Sequence, residues 1–147
     1  MHSESAPPGV TSFDHTADVG LEVTASSLPQ LFVRAALGAA WLMRGEGRDQ
    51  DEAAEPERTA RSLHLSADDV AALLRAWLRE LLYWQETERL SFRAARFEVL
   101  DGQSLEASVT VAPEAGEPVR EIKGVTLHGL SAERLGGEWT ARVIFDV

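Results

Sequence analysis

A chain of 147 residues, 44% of them apolar, is long enough for one continuous hydrophobic core and about the length of a single domain. It contains no cysteine, which excludes disulfides, thiolate metal sites and cysteine nucleophiles. A formal net charge of -10, with Lys123 the sole lysine and the arginines scattered, argues against autonomous nucleic-acid binding, which relies on clustered cations that release counterions.

No apolar run approaches the roughly 18 residues of a membrane helix. The stretch His2-Ser3-Glu4-Ser5-Ala6-Pro7-Pro8 also lacks the basic and apolar regions of a signal peptide, so the expectation is a cytoplasmic protein with no membrane contact. The acidic balance suits a basic protein partner or divalent cations, and equally suits plain solubility.

Residues 1–9 are small, polar and proline-rich, a flexible N-terminus ahead of a domain at 10–147. Phe13-Asp14-His15-Thr16-Ala17-Asp18-Val19-Gly20 then packs two aspartates and an imidazole into five residues. From Val19, apolar residues alternate (Val19, Leu21, Val23, Ala25), the period of a half-buried strand. Asp14, His15 and Asp18 are thus expected in a loop entering a core strand. There they are either a site or ordinary turn chemistry, in which Asp and Thr side chains bond nearby amides.

Leu28, Leu31, Phe32, Ala35, Ala39, Leu42 and Met43 recur at helical spacing and predict a helix over 29–44 with a narrow alanine-rich middle. The charged segment 45–60 reads as a solvated loop. Arg61 to Leu65 is a short strand candidate, and Ser66 with Asp69 resembles a capping box. Val70, Leu73, Leu74, Trp77, Leu78, Leu81 and Leu82 form the dense stripe of a central core helix, with Trp77 and Trp84 as packing residues.

Ala95, Phe97 and Val99, an Asp101-Gly102 turn, then Leu105, Ala107, Val109 and Val111 read as a hairpin. Residues 112–118 form a loop, Val125 and Leu127 begin another strand, and Gly136-Gly137 turns the chain into a strand with Trp139, Ala141, Val143 and Phe145 on one face. Two main helices among hairpins without βαβ alternation predict a single α+β domain with mostly antiparallel sheet.

The last strand runs through Ile144-Phe145-Asp146-Val147. Asp146 falls on the face opposite Phe145, and Val147 adds an α-carboxylate beside it. Such oxygens suit Ca²⁺ or Mg²⁺. If the Asp18 loop lies alongside, three carboxylates converge and need a cation or a basic partner to offset their repulsion. Alternatively, Asp146 bonds a backbone amide or faces solvent.

These stretches carry a resemblance to a known family. Phe13 to Gly20, Leu31-Phe32 with Ala35-Ala36-Leu37-Gly38, and Glu80-Leu81-Leu82-Tyr83 carry it together with Glu121-Ile122-Lys123-Gly124-Val125-Thr126, His128 and the terminal Arg142 to Val147. The chain resembles archease, the small accessory protein of the tRNA-splicing RNA ligase. The resemblance implies a non-enzyme that helps the ligase become guanylylated and turn over repeatedly during tRNA processing, and that can broaden the nucleotide it accepts.

It further implies a divalent cation, calcium in preference to magnesium or manganese, held by Asp18, Asp146 and Val147, and a functional Lys123. Gly124 and Leu127 stand where relatives often carry Ala and Tyr, a packing difference. Asp14, His15 and His128 are expected as neighbours of the ligands or as partner contacts. Each histidine reads equally well as a hydrogen-bonded residue beside a core strand, and Lys123 as an exposed lysine at a strand start. From other classes, a metal-dependent hydrolase using Asp14, His15 and Asp18, or a metal-independent chaperone-like domain, also accommodates these residues.

Overall fold

The computed structural model describes residues 6–15, 18–44, 57–114, 118 and 120–147, with the backbone alone for Asp14 and His15. In chain order the elements are β1 (Val10–His15), β2 (Asp18–Ala25), α1 (Leu28–Arg44), β3 (Thr59–Ser66), α2 (Val70–Glu88), β4 (Leu90–Leu100), β5 (Ser104–Pro113), β6 (Gly124–Val125), β7 (Ser131–Leu135) and β8 (Glu138–Asp146). Among the described residues all strand pairs are antiparallel. They form two sheets rather than one: β1-β2-β8-β6 with β7 also on β8, and β3-β5-β4. The chain is a single α+β domain of two helices packed on antiparallel sheet.

α1 is apolar over most of its circumference because it meets both sheets. Its Gly38 lies on the large sheet, where a Cβ would come within 2.9 Å of Leu21 and 3.1 Å of Val10. Another side carries Phe32, fully buried, whose ring lies 6.3 Å from Phe97 of β4 and 6.1 Å from Trp77 of α2. The small residues Ala35, Ala36 and Ala39 are buried between, which explains a helix low in bulky side chains at its middle. Trp77 closes the core: its indole N–H donates to the Phe32 carbonyl at 2.9 Å, satisfying the one polar atom of a fully buried ring.

α2 begins at Asp69, extended at φ -152°, whose carboxylate accepts the Ala72 N–H at 2.8 Å. Ser66 is not the cap; it is the last residue of β3, paired with Ser104. The helix ends at Arg89, which turns left-handed at φ 57° and donates its N–H to the Gln85 carbonyl at 3.0 Å. Arg75 of α2 ties the helix to the large sheet by donating from Nε to the Val125 carbonyl at 2.7 Å.

Several boundaries differ from the sequence reading. Phe13 to His15 are strand, not loop: β1 pairs with β2 from Val10↔Val23 to His15↔Asp18. Period-2 alternation is muted there because Phe13 lies on the outer face and Ser12 on the inner one at a sheet edge. β3 spans Thr59–Ser66, β4 starts at Leu90 and β5 runs to Pro113, each longer than its apolar residues show. Backbone pairing continues where side chains have become polar. Leu127 is not strand but 69% exposed in the turn after the two-residue β6. β7 (SAERL), with little apolar alternation, was not foreseen and is held by pairing with β8. The charged segment at 45–56 lies outside the described residues.

Candidate functional site: a carboxylate pair at the end of β2 and β8

The motif around residues 13–20 is a hairpin end, and its spacing has a geometric cause. Phe13 and Gly20 are cross-strand partners. A Cβ on Gly20 would fall inside the Phe13 ring, so glycine lets the ring lie flat across the backbone. The Arg142 guanidinium stacks over that ring at 4.2 Å from its centroid and donates to Glu22 at 2.8 Å. This layer anchors the outer face of the large sheet, and the acidic residues lie one pair further along.

Asp18 and Asp146 are direct partners in the β2–β8 ladder, next to Val19↔Phe145 and Gly20↔Ile144. Residues directly opposite in an antiparallel pair share a face, with Cβ atoms roughly 4.5–5.5 Å apart. Val19 and Phe145 are buried, so the two aspartates project from the face opposite the core. Asp18 is half-buried and Asp146 exposed. Gly124 of β6 pairs with Asp146 on its other side, and a Cβ there would lie 3.9 Å from Asp146 Oδ2. His15, Asp18, Asp146 and Gly124 thus form one row across four strands.

Lys123 is exposed at the same edge, and its backbone N–H donates to the Asp146 carbonyl at 2.8 Å. This bond fixes the end of β8 immediately before Val147, which is 38% exposed. His128 lies beyond β6 in an exposed turn, its N–H donating to Thr126 Oγ1 at 2.7 Å. The side chains of Asp14 and His15 lie outside the described residues. The structure therefore brings Asp18, Asp146, Val147 and the Lys123 backbone to one edge.

Opposed carboxylates about 5 Å apart repel by about 1 kcal/mol at the dielectric of water and about 3 kcal/mol at an effective value near 20. Hard divalent cations relieve such repulsion and prefer oxygen donors. Among the described residues no group of three or more His, Asp or Glu side chains gathers to hold a metal ion. Among the described residues, Asp18 and Asp146 suit an exposed cation with coordination positions left open.

Sequence reasoning missed two residues at this edge. Gly124 earns its place by opposing Asp146, which only strand register reveals. Tyr83, in the Glu80–Tyr83 segment, is 59% exposed although its neighbours Leu81 and Leu82 are buried. An aromatic residue out of phase with the apolar stripe was the available signal.

Fold and site together define a small two-helix α+β protein with an acidic pair presented at a sheet end. Comparison with known proteins makes this specific. The chain belongs to the archease family: residues 11–147 match the model of the Archease protein family (MTH1598/TM1083). It is 33% identical to protein archease of Archaeoglobus fulgidus, over 91% of this chain and 96% of that one. Protein archease of Methanosarcina acetivorans is 30% identical, over 91% and 92% of the two chains.

The solution structure of Methanobacterium thermoautotrophicum protein 1598 superposes with a TM-score of 0.71 at 29% identity, covering 95% of this chain and 99% of that chain. The crystal structure of an archease from Thermotoga maritima, described as a "possible chaperone", shares the fold with a TM-score of 0.64 at 18% identity over all of both chains. No helix among the described residues is long and apolar enough to cross a membrane.

Proposed function

We propose that this chain is a metal-binding accessory protein of the tRNA-splicing RNA ligase, not itself an enzyme, which promotes ligase guanylylation and multiple turnover and broadens its nucleotide use. The observation that carries the reading is the direct pairing of Asp18 with Asp146 at an exposed sheet end. Membership of the archease family supports this reading.

In this reading Asp18, Asp146 and Val147 hold a divalent cation, calcium in preference to magnesium or manganese. Bound there, the cation supplies positive charge beside a phosphate undergoing transfer, where positioning and charge neutralisation dominate catalysis. The rigid strands β2 and β8 orient the two aspartates. The Lys123 backbone bond keeps Asp146 in line, and the Lys123 ammonium at the same edge offers a second positive charge to a phosphate. Asp146 and Val147 are exposed, so the site faces outward, as a contribution to a partner's active site requires.

The test is RNA ligation with sub-stoichiometric ligase. Asp18→Ala and Asp146→Ala are expected to keep the wild-type circular dichroism spectrum yet abolish stimulation of multiple turnover. Normal stimulation by both variants overturns the site. Phosphatase or nuclease turnover by the purified chain alone, lost on chelation, overturns the non-enzymatic assignment in favour of a hydrolase.

A further inference from the structure

The outward face of α2 and the segment 122–124 enclose an open groove of about 540 Å³. Its floor includes Ile122, which is buried, and its prominent wall is the Tyr83 ring, left 59% exposed. Arg79, Glu80, Glu86 and Lys123 provide the rim. Packing does not account for Tyr83, because the buried face of α2 is complete with Leu74, Trp77, Leu78, Leu81 and Leu82. Exposed tyrosines on a rigid helix supply large contact area at low entropic cost and are enriched at protein interfaces.

We propose that this groove docks a segment of the partner protein that carries an apolar side chain flanked by one acidic and one basic residue. This rests on the ligase reading and deepens it by naming where the partner is gripped. Charge complementarity decides the occupant. The rim balances two cations with two carboxylates, so a free nucleotide phosphate would meet as much repulsion as attraction, whereas a polypeptide brings groups of both kinds. The chain as a whole carries -10, which steers a basic partner and opposes association with a second copy of itself. Lys123 and Gly124 line the groove, and Gly124 also pairs with Asp146. A segment seated against Tyr83 therefore lies beside the carboxylate pair, and docking and activation meet at Lys123.

The experiment uses the full chain and the purified ligase of the same organism. A photo-crosslinking residue is placed at position 83 and, as a control, at Arg96 on the exposed face of β4. Affinity for the ligase is measured for wild type, Tyr83→Ala and Tyr83→Phe. The expected result is crosslinking from position 83 and not from 96, with Kd raised at least tenfold by Tyr83→Ala and nearly restored by Tyr83→Phe, at unchanged thermal unfolding with and without Ca²⁺. A ligase that binds wild type but shows no crosslink at 83, or no loss on Tyr83→Ala, overturns the groove and leaves the ligase reading standing. No binding of wild type to the ligase overturns both. Dimerisation of the chain alone, or ATP or GTP binding, that is lost on Tyr83→Ala assigns the groove to another occupant and also overturns the proposal.

Discussion

Replacing Asp146 by Asn separates two effects that the carboxylate pair otherwise combines. Asp146 stands directly opposite Asp18, with its side chain on the exposed face and its backbone carbonyl held by the Lys123 N–H. Asn keeps the shape and the backbone bond and removes one charge. Without metal, the lost repulsion is worth about 1 kcal/mol at the dielectric of an exposed site. For a domain near this size that corresponds to a rise in Tm of about 2–4 °C.

With metal the sign reverses. A cation that binds only the folded chain stabilises it by about 2.7 kcal/mol at one hundred times Kd, or about 5–10 °C on the same scale. The Asn variant forfeits most of that gain. Thermal unfolding followed by tryptophan fluorescence, in EDTA and across a Ca²⁺ series, therefore should show the variant above wild type without metal and below it with metal. Equal responses of the two proteins to Ca²⁺, or a variant less stable than wild type in EDTA, would refute the reasoning.

Gly20→Ala should destabilise the β1–β2 hairpin by about 1–3 kcal/mol, because the new methyl group enters the Phe13 ring and overpacks the layer. Urea unfolding checks it, and Phe13→Leu in the same chain should recover part of the loss. Asp101 accepts the Gln103 and Ser104 N–H groups at 2.8 and 2.7 Å, and these bonds hold its carboxyl below the ordinary aspartate value. A depressed folded-state pKa gives stability that is fully present above the unfolded pKa, near 3.9, and is lost as pH falls through the folded value. Asp101→Ala should thus be less stable than wild type at neutral pH, and the difference between the two unfolding midpoints should shrink as pH falls below the unfolded value.

The alternation from Val19 to Ala25 and the stripe from Val70 to Leu82 identified β2 and α2, because burying one face forces the period of the element onto the residue pattern. The hairpin around Asp101 was readable for a similar local reason, since the Asp carboxylate makes the turn with its own neighbours. β7 was not, as Ser131 to Leu135 owe their strand to β8 rather than to any pattern of their own. The cap at Asp69 was assigned to Ser66 because both are capping residues, and only the β3 ladder shows that Ser66 is already paired.

The acidic residues themselves were legible: Asp18 in an unusually dense polar motif, Asp146 as a charge on a core strand. Their meeting was a conditional expectation that sequence could not decide. It follows from β2 and β8 lying side by side in a register that buries Val19, Leu21 and Val23 against the same core as Ala141, Val143 and Phe145. A slip of one residue would turn those apolar side chains to solvent, so the core enforces the register and the register opposes the two carboxylates. Sequence determined the elements and the chemistry each carries, since those depend on neighbours along the chain. Tertiary structure alone decided which distant oxygens face each other and which aromatic ring stays exposed, since both depend on pairings that the chain makes only once its faces are buried.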